Sequence, residues 1–207
     1  TAQDATLIDH DFSDWSDVET TAVVDTAGPL VSVGFKSDEE RVYFLLEYDR
    51  TIALDEGIIP HGTKIALDLD GNAATGQIVG GFQGAEMVIH LADRYVNSSQ
   101  SGGTTEQSSL NSSLVRMAPT YGAAIHEVAI DRGVNGFGGN NTPIRWSVRC
   151  NSGQQVSQDY PITLSDVAPV YSPISLDRAE GTQMRVAFWN MNRRVDEAAA
   201  QAAMARI

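Results

Sequence analysis

The chain has 207 residues, of which 42% are hydrophobic and 20% charged, a composition that supports a folded core. Its formal net charge of −13 argues against a nucleic-acid backbone as a direct partner, because phosphates would be repelled. No apolar run approaches the roughly 20 residues that cross a bilayer, and a single cysteine, Cys150, excludes an internal disulfide. The chain begins with Thr1 and not with methionine, which we interpret as the start of an exported protein, periplasmic, cell-surface or extracellular.

Alternating apolar and polar residues recur from residue 20 to 150 with Gly, Asp and Asn turn signals between them, which is typical of an all-β protein. Val31, Val33 and Phe35 alternate with small residues, and 41–48 is a nearly continuous apolar run, expected of a central strand covered on both faces. This spacing predicts an antiparallel, jelly-roll-like β-sandwich over residues 1–165. Further strands are predicted at 64–70, 85–92, 114–117, 122–130 and 144–150.

Three polar or irregular segments interrupt or follow this pattern. Residues 97–113 (NSSQSGGTTEQSSLNSS) are poor in apolar side chains and predict a mobile loop or the tip of a long hairpin. Residues 133–142 predict a second flexible loop. Residues 166–183 contain two prolines and predict an extended linker.

A short acidic segment carries the strongest metal-ligand pattern. Strand alternation puts Asp68 and Asp70 on one face, and Gly71 allows a turn that brings Asn72 back to it. Oxygen ligands at this spacing suit Ca²⁺, which takes about six to eight of them. A helix-loop-helix calcium loop would need a glutamate where Val79 stands, so carbonyls, water or a distant carboxylate would complete the site. The alternative is an Asx turn, in which these side chains bond nearby backbone amides.

Aromatic side chains near glycine-rich loops are the candidate ligand contacts. Phe82, Tyr95 and Phe137 are predicted to stack on sugar rings, with packing in the core as the alternative role. Trp146 alternates in phase with apolar neighbours and is predicted to lie in the core. The four histidines do not have the spacing of a metal site.

Three motifs in order resemble those of family-nine carbohydrate-binding modules and the related DOMON-like sandwiches. Residues 8–15 (IDHDFSDW) resemble the I-D-G-x-x-x-D-W opening, with His10 in place of glycine. Residues 67–76 (LDLDGNAATG) resemble the L-D-x-D-x-N-x-x-T-G turn, and 125–131 (IHEVAID) resemble a late strand with an inward glutamate. The resemblance implies a β-sandwich of a kind that is usually secreted, often has structural calcium and sometimes binds a glycan. If this module has a ligand, the net charge of −13 and the loop aromatics predict a neutral or cationic glycan.

DOMON relatives can also hold haem through methionine and histidine ligands. Residues of these types are available here, although no spacing among them demands a haem site. A haem-binding sandwich is therefore a further alternative. The side chains concerned are Met87, His90, Met117 and His126.

The last part of the sequence has a different pattern. Residues 184–192 (MRVAFWNMN) form an apolar strand pattern that leads into an alanine-rich helical pattern at 193–207. The pair resembles the first strand and helix of the endonuclease/exonuclease/phosphatase superfamily, in which a first-strand asparagine, here Asn190, belongs to the metal site. The resemblance implies the start of a second, incomplete α/β domain at 184–207, whose missing remainder would use Mg²⁺. Asn190 alone is an incomplete catalytic site, so this chain by itself is expected to have no hydrolase activity.

These observations together predict a non-catalytic, calcium-stabilised, carbohydrate-binding-like accessory module of an exported metal-dependent phosphoesterase or nuclease. The alternative is that the chain belongs to a hydrolase of that superfamily and is only its N-terminal region. Because both faces of 184–192 are apolar, we expect this segment to pack on another chain or on an edge of the sandwich.

Overall fold

A computed structural model describes residues 3–9, 11–24, 28–51, 62–99, 104–120, 122–137, 142–150 and 152–171. This part of the chain is an antiparallel β-sandwich, as predicted, with a 3-10 turn at Phe12–Trp15. Within the same ranges, no helix is long and apolar enough to cross a bilayer. The predicted strand and helix at 184–207, including Asn190, lie outside the described residues.

The first layer is a five-stranded sheet. Its strands are β2 (Thr20–Ala22), β3 (Leu30–Ser37), β4 (Arg41–Tyr48), β11 (Val115–Ala118) and β12 (Ile125–Asp131), in the spatial order β11-β12-β4-β3-β2. The apolar run forms the central β4, as expected. Val31 was expected to share the face of Val33 and is exposed instead, because the register shifts between Leu30 and Ser32.

The second layer is a six-stranded sheet. Its strands are β5 (Lys64–Asp68), β8 (Met87–His90), β9 (Tyr95–Ser99), β10 (Thr105–Ser109), β13 (Ile144–Arg149) and β14 (Gln155–Ile162), in the order β10-β9-β8-β5-β13-β14. The polar segment 97–113 supplies part of β9 and all of β10, which pair as a hairpin. Of the two alternatives predicted for 97–113, a mobile loop is wrong for the residues in β9 and β10. Backbone pairing at a sheet edge needs few apolar side chains, so a polar segment can form these strands. Val96 anchors this hairpin in the core.

The inner faces of the two sheets enclose the main core. Phe44 from one sheet meets Trp146 from the other edge to face, with ring centroids 5.5 Å apart, and Phe35 stacks on Trp146 at 5.8 Å. The prediction that Trp146 lies in the core is confirmed. Fully buried aliphatic neighbours complete the core, each contributing about 1.5–3 kcal/mol; they include Val42, Leu46, Ile65, Leu67, Ile89, Val128, Ile130 and Val148.

A hairpin covers part of the outer face of the six-stranded sheet. It consists of β6 (Gln77–Val79) and β7 (Phe82–Ala85). Phe82 and Ala85 of the hairpin pack on Ala66 and Val88 of the sheet in a small apolar cluster. This hairpin forms one wall of the groove described below.

The N-terminal segment covers the outer face of the five-stranded sheet. Trp15 packs there on Tyr43 and Leu45, and its indole Nε1 donates a hydrogen bond of 2.9 Å to Oε1 of the buried Glu127. Glu127 is the glutamate of the late-strand motif, and it lies under Trp15 on the outer face of the sheet. Two of the three motifs thus meet in one structural contact.

The described part of the predicted linker, 166–171, is attached to the sandwich. β1 (Gln3–Asp4) pairs in parallel with β15 (Pro169–Val170). The Tyr171 hydroxyl donates a hydrogen bond of 2.6 Å to Glu40. These contacts tie 166–171 to the N-terminal segment and to the β3–β4 turn.

Candidate functional site

The predicted metal segment begins where β5 ends. Asp68 is the last residue of β5 and is completely buried. Arg145, directly opposite on β13, donates to Asp68 Oδ2 from Nε at 2.7 Å and also from its terminal Nη2. Arg145 therefore compensates the negative charge of Asp68, and a buried carboxylate without such a partner would be strongly destabilising.

In the following turn, several polar groups of the segment form hydrogen bonds with one another. The Asn72 amide N–H donates to Asp68 Oδ1 at 3.1 Å and to Asp70 Oδ1 at 2.8 Å. The Asn72 side-chain Oδ1 accepts from the Ala74 amide at 3.1 Å, which is the Asx turn that the sequence left as an alternative. Asn72 thus shapes the turn, and Asp68 and Asp70 remain as the acidic side chains beside it.

A third carboxylate, absent from the sequence-based set, joins these two. Oxygens of Asp68, Asp70 and Glu86 all lie within 4.8 Å of one another. Glu86 Oε2 accepts from the Leu69 amide at 2.8 Å, whereas Oε1 is buried and has no hydrogen-bond donor among the described residues. We call these three residues the acidic cluster. The register of β5 against β8, which pairs Leu67 with Met87, brings Glu86 here.

The electrostatics of the acidic cluster favour a cation. Burial raises the pKa of Glu86; hydrogen bonding by the Leu69 amide and the Thr75 side chain lowers it in part, and the nearby Asp70 and Asp68 carboxylates raise it. Since Arg145 offsets Asp68, the cluster holds about two uncompensated negative charges when Asp70 and Glu86 are ionised. Carboxylate oxygens with this charge and an orphaned buried oxygen fit a Ca²⁺ ion.

A groove of about 520 Å³ lies between the β6–β7 hairpin and the outer face of the six-stranded sheet. Because the inner-face residues of β5 alternate with outer-face ones, Lys64 points outward, and the register places His90 and Arg149 on either side of it. Asn97 comes from β9, and Gln77 and Gly80 from the hairpin. We call this the outer groove, lined by Lys64, Gln77, Gly80, His90, Asn97 and Arg149.

A stacked pair of rings stands at the β8–β9 side of the outer groove. The rings of His90 and Tyr95 have centroids 4.1 Å apart and planes inclined by 21°. His90 Nε2 lies 3.4 Å from the Asn97 amide nitrogen. Burial lowers the pKa of His90, and Lys64 lowers it further, so the imidazole is neutral at neutral pH. The pair therefore presents a planar, uncharged surface beside the polar groups.

A glycine sets the position of Arg149 in the outer groove. Gly80 has a φ of +58°, and a Cβ atom at this position would lie 1.4 Å from Arg149 Nη1. Any larger residue would displace the guanidinium. Gly80 is thus required both for the turn of the hairpin and for the close approach of Arg149.

The structure separates the three aromatic residues predicted to bind sugar. Phe82 is 4% exposed, in the cluster under the hairpin, and the Arg145 guanidinium covers its ring at 5.4 Å. Phe137 is half-buried against the main core. Tyr95 alone among them adjoins the outer groove. Sequence patterns could not distinguish these positions, because all three are aromatic residues near glycines.

The candidate haem ligands are divided between two places, since Met87 and Met117 lie in the main core and His90 lines the outer groove. Met87 faces the main core, whereas His90, three residues later on the same strand, lines the outer groove on the opposite face. His126 is buried in the five-stranded sheet, with its ring 5.9 Å from that of Tyr48. Met87 and His90 therefore do not form a pair of axial ligands.

No family model matches the chain, and no curated protein matches it. Among solved structures, it is similar to a carbohydrate binding module family 9 (CBM9) from Caldicellulosiruptor kristjanssonii in complex with cellotriose, with a TM-score of 0.43 and 13% identity over 90% of this chain and 97% of that one. It is also similar to a CBM9 from the same organism in complex with glucose, with a TM-score of 0.40 and 16% identity over 75% of this chain and 81% of that one. At these identities the likeness concerns the fold alone.

Proposed function

We propose that this chain is a non-catalytic carbohydrate-binding module and that the glycan lies in the outer groove. The observation that carries the proposal is the groove itself, whose volume of about 520 Å³ falls within the range of small-molecule sites, roughly 300–1,000 Å³. Its lining combines a planar ring surface with amide and cationic groups. A sugar ring offers both a C–H face and several hydroxyl groups, so it matches such a lining.

Each group in the outer groove has a distinct role in this proposal. The Tyr95–His90 stack covers the C–H face of a sugar ring, since aromatic faces attract such surfaces. Gln77 lines the groove and donates from Nε2 to Ser99 Oγ at 2.8 Å, which fixes its amide, and its Oε1 would accept from a ligand hydroxyl group. Asn97, held against His90, supplies a second amide. Two fixed amides can bind adjacent hydroxyl groups and so orient the ring.

The direct test is binding to a panel of oligosaccharides by isothermal titration calorimetry, with wild-type protein and two tyrosine variants. Tyr95→Ala is expected to weaken binding at least tenfold, because one ring of the stacked pair is lost and the His90 ring in the groove loses its support. Tyr160→Ala removes an exposed tyrosine from β14, away from the groove, and is the matched control. Unchanged affinity in Tyr95→Ala, an equal loss in Tyr160→Ala, or no binding to any glycan of the panel would contradict the proposal.

We further propose that Ca²⁺ binds the acidic cluster and stabilises the sandwich. Support comes from the three converging carboxylates, the orphaned Glu86 Oε1 and the raised pKa of Glu86. The ion would join the end of β5 to the start of β8 through Asp68, Asp70 and Glu86. Its role would be structural, because Asp68 is already held by Arg145.

A broader proposal concerns the protein to which this module belongs. We propose that it serves an exported, metal-dependent phosphoesterase or nuclease, on the support of the resemblance at 184–192 with Asn190. Mg²⁺-dependent hydrolysis of a phosphate ester by the full gene product, absent from purified 1–207, is the expected result. Activity of 1–207 that is lost in Asn190→Ala would contradict the non-catalytic role. Fractionation of the native cells, with the protein recovered only in the cytoplasm, would contradict export.

A further inference from the structure

We infer that the outer groove is specific for an acidic glycan, that is, one carrying carboxylate or sulfate groups. The inference rests on the proposed glycan-binding function and names the class of sugar. It starts from a contrast in charge. The chain carries 27 acidic and 14 basic residues, yet among the described residues that line the groove the charged side chains are Lys64 and Arg149, and none is a carboxylate.

These two cations also differ from the others in their pairing. Among the described residues, six lysine or arginine side chains are buried or half-buried. Four of them form ion pairs, namely Lys36 with Asp14, Arg41 with Glu40, Arg132 with Asp166 and Arg145 with Asp68. Lys64 and Arg149 have no carboxylate of the described chain within 4.0 Å. In so acidic a chain, two neighbouring half-buried cations without a carboxylate partner among the described residues point to an external anion.

The register of β5 with β13 also favours an anion between Lys64 and Arg149. Arg149 of β13 is the direct cross-strand partner of Lys64 of β5. Like charges directly opposite each other destabilise a sheet, and Lys64 also lowers the pKa of the neighbouring His90. A bound carboxylate or sulfate would relieve this repulsion. The guanidinium of Arg149 offers a planar fork of donors that matches either group.

In this groove the charges of the lining residues, and not the net charge of the chain, determine the charge of the ligand. The expectation of a neutral or cationic glycan came from the total of −13. Charges further away than about 8 Å are largely screened at physiological ionic strength, so the cations in contact with the ligand decide its sign. A nucleic acid is disfavoured by the same comparison, because its long phosphate backbone would extend past the two cations onto the acidic surface.

The test compares matched ligands by isothermal titration calorimetry at about 150 mM salt. The probes are trigalacturonic acid, its fully methyl-esterified form, a sulfated galactose oligosaccharide and a DNA oligonucleotide. We expect one of the acidic sugars to bind at least tenfold more tightly than the esterified one. The carboxylated and sulfated probes distinguish the two sources of negative charge.

Two groove variants and one control make the result specific. Arg149→Gln and Lys64→Gln are each expected to weaken acidic-sugar binding about tenfold, and Arg116→Gln, an exposed cation on the other sheet, is expected to leave it unchanged. Thermal melting verifies that each variant is folded. If Arg149→Gln does not fold, Lys64→Gln tests the inference by itself. Equal binding of trigalacturonic acid and its methyl ester would overturn this inference, as would tighter binding of DNA than of any sugar. If a sugar still binds tightly in either case, the proposed glycan-binding function stands. Binding of no sugar at all would overturn both.

Discussion

Arg145 and Asp68 face each other across adjacent strands, and the Arg145 Nε lies 2.7 Å from Asp68 Oδ2. The same guanidinium donates to the Gln83 carbonyl at 2.9 Å and covers the ring of Phe82. One side chain therefore links the acidic cluster, the six-stranded sheet and the β6–β7 hairpin. Since that hairpin is a wall of the outer groove, the ion pair supports the proposed binding site as well as the proposed calcium site.

Replacing Arg145 by methionine is expected to destabilise the sandwich by about 3–5 kcal/mol, because a buried Asp68 charge would lose its partner. Urea denaturation measures this change. The double variant Asp68→Asn with Arg145→Met is the control and should cost less than the single variant, since the unpaired charge is removed. A single-variant cost below about 1 kcal/mol would show that the pair behaves like an exposed one.

Calcium is expected to raise the melting temperature of the wild-type protein relative to the same protein in chelator. Binding to the folded state alone contributes about 2.7 kcal/mol when the free ion is at a hundred times its Kd. Asp70→Asn should remove this increase, whereas Asp159→Asn, an exposed carboxylate on β14, should retain it. Identical melting of wild-type protein with calcium and with chelator would refute the calcium proposal.

Glu86→Gln is expected to change stability in opposite directions with and without calcium. Because burial raises the pKa of Glu86 in the folded state, the protonated form favours folding, and this contribution is lost as pH rises through the raised pKa. In chelator at neutral pH, the glutamine variant should therefore be more stable than wild type. This difference in stability should vanish below pH 4.5, the ordinary pKa of a glutamate side chain. In saturating calcium the order should reverse, because a ligand is missing; a variant that is less stable in both conditions would contradict this account.

Gly80→Ala is expected to reduce glycan binding at least tenfold, since its Cβ would displace Arg149. Gly136→Ala is a matched control, because Gly136 also has a positive φ, +68°, but a Cβ there meets no atom within 4 Å. Both variants should lose about 1–2 kcal/mol of stability from the left-handed backbone alone. If both variants lose affinity equally, the effect comes from backbone strain and not from the position of Arg149.

Much of the fold could be predicted from the sequence, because a strand leaves a period-two pattern that needs no knowledge of its neighbours. β4 and the core position of Trp146 followed from that pattern. The exposed Val31 did not, since a register shift depends on the paired strand. Nor did the hairpin of β9 and β10, whose polar sequence carries no burial signal.

The candidate sites were harder to predict, because each is assembled by pairing between distant segments. Asp68 and Asp70 were visible in one short motif, but Glu86 joins them only through the register of β5 with β8. Lys64 and Arg149 are 85 positions apart and become neighbours across β5 and β13. Phe82 and Tyr95 looked alike in sequence, and only the packing of the hairpin distinguishes a covered ring from one beside the groove.

The most direct test of a glycan in the outer groove is an NMR titration of ¹⁵N-labelled protein, first with trigalacturonic acid and then with cellotriose. We expect the amide shifts of Lys64, His90 and Asn97 to change with ligand concentration, and those of Arg116 on the five-stranded sheet and of Trp15, which packs against that sheet, to stay unchanged. Shifts concentrated on the five-stranded sheet, or no saturable shift with either sugar, would contradict this account.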